Sequence, residues 1–217
     1  MKFEKFLEIY KDQPLIDSST FPLYTKKPQI LRVQVKKWKD KGKLLELKKG
    51  LYVFTEKYRK YNIPKLFIGN YLIFPSYISL EYALDFYNLI PERVNTVTSV
   101  TTKKTNRFKN SFGLFTYNTV KKDLFFGYEI KKTGREQIFF ATPEKAIVDF
   151  LYINKNRISL QNSSQFFNSF RLQNLDILNL SSLEKISKLY TGKTKALIEN
   201  LLEYISNYNK SFTKLEL

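Results

Sequence analysis

The chain contains no cysteine and no histidine. The first absence excludes disulfides and thiolate chemistry, and the two together exclude the common zinc-ligand sets. Every Ser–His or Cys–His catalytic pair goes with them. Glycine is scarce, with seven in 217 residues, and no two glycines stand one residue apart. That removes the Gly-x-Gly turn of a dinucleotide-binding site. No apolar run approaches the ~18 residues that a membrane helix needs. The opening segment MKFEKFLEIYKD carries acidic residues inside its apolar face and has no continuous apolar core, so it does not read as a signal peptide. These absences lead us to expect a cytoplasmic protein with no membrane partner, no cofactor and no metal.

Acidic residues are also in short supply. The chain has 37 basic and 20 acidic residues, a formal net charge of +17. A surplus of that size favours polyanionic partners. Its distribution is uneven: residues 1–65 hold 17 basic and 7 acidic residues, whereas 66–217 hold 20 and 13. The positive charge is densest at the N-terminal end. Hydrophobic residues make up 43% of the chain and aromatics 16%, enough apolar surface to fold rather than stay disordered.

Phe3, Phe6, Leu7 and Tyr10 repeat at helical spacing and predict a first helix over 2–11. Asp17, Ser18 and Ser19 are candidate caps for a short second helix near 18–24 that contains Pro22. After Thr25-Lys26-Lys27, Pro28 suits the first turn of a third helix. Leu31, Val35 and Trp38 form its buried stripe. Its other face carries Gln29, Arg32, Val33, Lys36 and Asp40, flanked by Lys37 and Lys39. Gly42 stops the helix, and two strands over 44–54 meet at Lys48-Lys49-Gly50, where glycine supplies the positive φ of a tight hairpin. Helix followed directly by hairpin is the outline of a winged helix-turn-helix. Lys27, Gln29, Arg32, Lys36, Lys37, Lys39, Lys48 and Lys49 are then the candidate DNA contacts. Arg32 suits guanine, Gln29 suits adenine, and the lysines suit phosphate. The other reading of the same segment is a winged helix used for protein contacts.

Residues 55–65 read as a linker or crossing helix. A helix is predicted over 79–88, strands over 94–102, 112–120, 124–131 and 136–141, and a helix from Thr142-Pro143-Glu144 through Ile153. Helices near 164–172, 181–190 and 193–207 follow, with a frayed tail after Asn207. The expected class is α+β, with a winged-helix domain over 1–60 and a second domain over 66–217. The second is mixed strands and helices to residue 155 and mainly helical from 156.

Three further features carry weaker chemistry. Lys103, Lys104, Arg107 and Lys109 cluster between two strands, either as a second basic surface for nucleic acid or a partner, or as a solvated loop. Glu129-Ile130-Lys131 has the Glu-x-Lys form of some metal-dependent nucleases, with Asp123 or Asp85 as the imaginable second carboxylate; charged pairs on exposed strands are far commoner. Thr191-Gly192-Lys193-Thr194 ends like a phosphate-binding loop, but Ser187 stands where that loop needs its first glycine. A helix–helix junction is the expectation there. The leading function is therefore non-enzymatic, with no catalytic residues.

From Tyr71 to Tyr152 the chain contains, in order, PSYISLEYAL, YNLIPERV, VTSVTTKKTNRF, GLFTYNTV, LFFGYEI and ATPEKAIVDFLY. This series resembles the AbiEi-type antitoxin family of type IV toxin–antitoxin and abortive-infection systems, over roughly residues 1–155. The resemblance implies a two-domain regulator. Its N-terminal winged helix binds inverted repeats in double-stranded promoter DNA and represses its own operon. Its C-terminal domain counteracts a cognate nucleotidyltransferase-like toxin, without requiring a stable complex. The recognition helix falls on Pro28–Lys41 and the wing on Leu44–Phe54, in a monomer or a dimer induced by DNA. The short second helix with Pro22 departs from that pattern. The toxin's own chemistry needs a Gly-Ser loop and paired aspartates, and this chain has neither Gly-Ser nor Asp-x-Asp.

Overall fold

A computed structural model describes residues 1–213, with side-chain surroundings for residues 1–208. The chain is mixed α and β. Helix α1 (Phe3–Tyr10) buries Phe3, Phe6 and Tyr10, the spacing that predicted it. A two-residue strand β1 (Ile16–Asp17) follows, then a 3-10 turn over Ser18–Leu23 in place of the short α-helix expected at 18–24. Asp17 caps that turn by accepting the Ser19 N–H at 2.8 Å. Pro22, inside it, has no N–H for an α-helical bond. Helix α2 (Pro28–Asp40) begins with Pro28 in its first turn and buries Leu31 and Val35. Strands β2 (Leu44–Lys48) and β3 (Leu51–Phe54) form the hairpin, and β1 pairs with β3 to complete a sheet in the order β1-β3-β2.

Residues 55–64 are turns and loop rather than a crossing helix. Helix α3 (Lys65–Leu72) and strand β4 (Ser76–Ile78) come next, neither of them expected. Helix α4 (Leu80–Phe86) and strand β5 (Val97–Thr101) lie within the predicted spans 79–88 and 94–102. The basic cluster taken as a loop or surface between strands contains a strand itself, β6 (Asn106–Asn110). Strand β7 (Gly113–Thr119) follows. The strand expected at 124–131 starts later, as β8 (Tyr128–Thr133), because Lys122–Leu124 is a 3-10 turn. Strand β9 (Glu136–Ala141) leads into α5 (Pro143–Asn154), whose N-cap Thr142 accepts the Lys145 N–H at 3.3 Å.

Helices α6 (Ser163–Ser169), α7 (Leu180–Ser187) and α8 (Gly192–Thr213) close the described chain. The backbone stays helical past Asn207, where fraying was expected, and residues 214–217 lie outside the described residues. Among the described residues no helix is long and apolar enough to cross a membrane.

The larger sheet runs β6-β7-β5-β4-β9-β8, with β4–β9 and β5–β7 parallel and the other pairs antiparallel. Two apolar clusters result. The smaller gathers Phe3, Phe6, Tyr10, Phe21, Leu31, Val35, Leu44 and Phe54. The larger spans the six-stranded sheet and the C-terminal helices, and it also takes Leu47, Leu51 and Val53 from the hairpin. The hairpin is thus a wall common to both clusters. A register shift between Glu46 and Lys48 contributes to this by bulging β2 at Leu47, which is buried.

Gly50 turns the hairpin at φ +83°, and its carbonyl accepts the Ser18 N–H at 2.8 Å. A Cβ there would stand 2.7 Å from Ser18 Oγ. Gly50→Ala combines a left-handed conformation with that clash and should cost about 1–3 kcal/mol. Thermal unfolding of the full chain measures it; an unchanged melting temperature would show that the turn is not under this constraint.

Candidate nucleic-acid interface

Helix α2 presents one face to the smaller cluster and the other to solvent. Gln29, Arg32, Val33, Lys36, Lys37 and Asp40 are all exposed, as is Lys27 just before the helix. The sequence-predicted outward face is therefore brought together on one surface. The helix is held from behind by Leu31 and Val35 and at its side by the terminal ammonium, which donates to Gln34 Oε1 at 2.9 Å. Two lysines of the candidate set are engaged elsewhere. Lys39 is half-buried and pairs with Glu46 Oε2 on β2 at 2.8 Å, a contact that raises its pKa. Lys48 donates from Nζ to the Leu72 carbonyl at the end of α3, 2.6 Å away. Its ammonium ties the hairpin to the larger sheet unit instead of standing free at the tip. Lys49 remains exposed at the turn.

The second basic surface lies along an edge. Lys103, Lys104, Arg107 and Lys109 are exposed, the last two on β6, which pairs only with β7. Strand β6 abuts the hairpin, where Asn110 Nδ2 donates to the Leu47 carbonyl at 3.1 Å. Arg107 also lines an open cleft of about 820 Å³ with Arg93, Thr98, Thr116, Asn118 and Glu81. Burial raises the pKa of Glu81 there.

The two sequence patterns with enzymatic alternatives are placed as follows. Lys131 Nζ meets Glu129 Oε1 at 2.6 Å on the edge strand β8. Asp85 accepts the Val94 N–H at 2.8 Å, and Asp123 is exposed in a 3-10 turn. Among the described residues no group of three metal-ligating side chains forms around them. Thr191–Thr194 joins α7 to α8, with a helix rather than a strand before it.

One site went unforeseen. Lys145 and Asp149, one turn apart on α5, are both fully buried and form an ion pair. Tyr77 OH and Ser79 Oγ each donate to Asp149 Oδ2 at 2.8 Å. Lys145 Nζ also reaches Tyr190 OH at 3.2 Å and lies 4.8 Å from the Phe126 ring centroid. Gly127, at φ +72°, lies against the lysine stem: a Cβ there would stand 2.9 Å from Lys145 Cγ. Burial pushes the Lys145 ammonium down and the Asp149 carboxyl up, each opposed by its partner's charge. The segments PSYISLE, LFFGYEI and ATPEKAIVD thus meet at one buried pair. A lysine and an aspartate at i, i+4 on an otherwise apolar helix face were its visible signal.

No protein-family model matches the chain, and no curated protein matches it in sequence. The resemblance stands on the motifs themselves.

Breaking a buried pair strands the remaining charge. Asp149→Ala should cost about 3–5 kcal/mol, whereas Lys145→Met combined with Asp149→Leu should cost markedly less. Urea unfolding of the three proteins compares them, and equal losses in the single and double variants would refute a charge-pair role.

Proposed function

We propose that the protein is a DNA-binding antitoxin that represses its own operon and counteracts a nucleotidyltransferase-like toxin. The observation that carries the DNA-binding part is the open face of α2, where Gln29, Arg32, Lys36 and Lys37 stand together in solvent. The order of α1, 3-10 turn, α2 and hairpin, with β1 paired back onto β3, supports a winged helix with α2 as recognition helix. The 3-10 turn takes the place of the usual first helix of the helix-turn-helix. The antitoxin part rests on the motif series from Tyr71 to Tyr152, three of whose six members meet at the Lys145–Asp149 pair.

The contact set is smaller than the sequence alone suggests. Lys27, Arg32, Lys36, Lys37 and Lys49 are exposed for phosphate or base, while Lys48 and Lys39 are committed within the protein. Neutralising about 4 phosphates per protomer gives a slope of roughly −4 for log affinity against log salt.

Fluorescence anisotropy with the upstream promoter and with a scrambled duplex tests the reading. Promoter binding should exceed scrambled binding at physiological salt; equal or absent binding would refute repression. Lys49→Ala should weaken both duplexes alike and flatten the salt slope by about 1. Arg32→Ala should weaken promoter binding by about 1–3 kcal/mol. Lys48→Ala should leave DNA affinity unchanged and lower the stability of the fold instead. Growth rescue on co-expression with the toxin encoded beside it tests the antitoxin part.

A further inference from the structure

We infer that Val33 reads the 5-methyl group of thymine, so that the protein selects an A·T pair where the first two turns of α2 lie. This rests on the DNA-binding reading above and specifies its base preference. Ile30 is 53% exposed and Val33 56% exposed, one turn apart on a helix whose apolar stripe is already supplied by Leu31 and Val35. The fold leaves these two β-branched side chains in water.

Position in the face separates the two. At about 100° per residue, Gln29 and Val33 point away from the buried stripe, with Arg32 and Lys36 on one flank and Lys37 and then Ile30 on the other. A helix about 10–12 Å across fills a major groove about 12 Å wide, so its central line meets base edges and its flanks meet the two phosphate walls. The cations and Ile30 stand on the flanks, and Val33 lies on the centre line. Asp40 lies on the same outward line but in the last turn, where a carboxylate facing phosphate is repelled. The helix therefore enters by its N-terminal half, which holds Gln29, Ile30 and Val33, as recognition helices commonly do.

Base chemistry then selects the partner. The thymine methyl is the one apolar group on the major-groove edges; the rest are donors and acceptors. Val33 over a G·C pair would desolvate the cytosine amino group or guanine O6 without offering a partner, an unfavourable burial. Val33 over thymine buries apolar surface on both sides, and Gln29 can accept from N6 and donate to N7 of adenine.

The test uses the full chain, the upstream promoter duplex, and the same duplex with deoxyuridine in place of thymine in the protected half-site. Deoxyuridine lacks only the methyl and keeps pairing and backbone charge. Wild-type affinity should fall about fourfold for each methyl removed from contact, the equivalent of one buried methylene. The exposed variant Val33→Ser should bind the thymine duplex more weakly and show no further loss with deoxyuridine. Equal wild-type affinity for the two duplexes would overturn the inference and leave promoter binding standing. Persistent sensitivity in the variant would place the methyl contact on other residues. Unchanged promoter affinity in the variant would likewise overturn the inference. Absence of promoter binding by wild type would overturn the DNA-binding reading itself, and this inference with it.

Discussion

Asp149 must be neutralised where it is, and much of the larger unit is organised around that requirement. A carboxylate taken wholly out of water costs several kcal/mol unless its charge and lone pairs are answered. Here Lys145 answers the charge, and Tyr77 and Ser79 fill the other oxygen. Those partners come from β4, the residue before α4, and α5, while Tyr190 reaches Lys145 from the link between α7 and α8. A shift of β4 or of the start of α4 would strip Asp149 of a hydrogen bond, and a shift of the α7–α8 link would take Tyr190 from Lys145. Replacing the pair with well-packed apolar side chains is often tolerated, so the pair is better understood as fixing one arrangement than as adding net stability.

The N-terminal unit obeys a different constraint, set by shape and charge density. Its own cluster is small and aromatic, with Phe6 packed against Tyr10, Phe21, Trp38 and Phe54. That packing consumes the inner face of α2, and among the described residues no ion pair forms with Arg32, Lys36 or Lys37 on its outer face. Lysines near the hairpin are treated differently: Lys39 finds Glu46, Lys48 finds a carbonyl, and Lys43 lies 3.9 Å from the Phe3 ring centroid. These three lysines have a use in the fold, whereas Arg32, Lys36 and Lys37 on α2 and Arg107 and Lys109 on β6 stay in solvent.

The parts legible in the sequence were those whose signals are local. Leu31 and Val35, Gly42 and Gly50, and Thr142-Pro143-Glu144 mark α2, the hairpin and the start of α5 within a few residues of themselves. Helix α3 escaped because KLFIGNYL is apolar all round, with four residues buried and no polar face to give it a period. Strand β4 has three residues and exists because β5 and β9 pair on either side of it. Strand β6 is charged and polar, and only its two-residue connection to β7 makes it a strand. The partners of Lys48 and Asp149 lie 24 and 72 residues away in the chain, which is why charge alone assigned Lys48 to the surface and left Asp149 unnoticed.

The hairpin's place between two clusters bears on how the molecule can be dissected and how it can evolve. A fragment ending near residue 60 would leave Leu47, Leu51 and Val53 uncovered, and one beginning near residue 66 would lack the wall that closes its core. Activity lost in either fragment would report a failed fold rather than the address of the activity. The same geometry divides the chain into positions free to drift and positions that are not. A change in the hairpin answers to both cores at once, whereas a change at Gln29, Arg32 or Val33 answers to neither. Under the proposed DNA-binding reading, new target preferences arise through a handful of outward residues on α2, and the β-ribbon beside them is the slow-changing part.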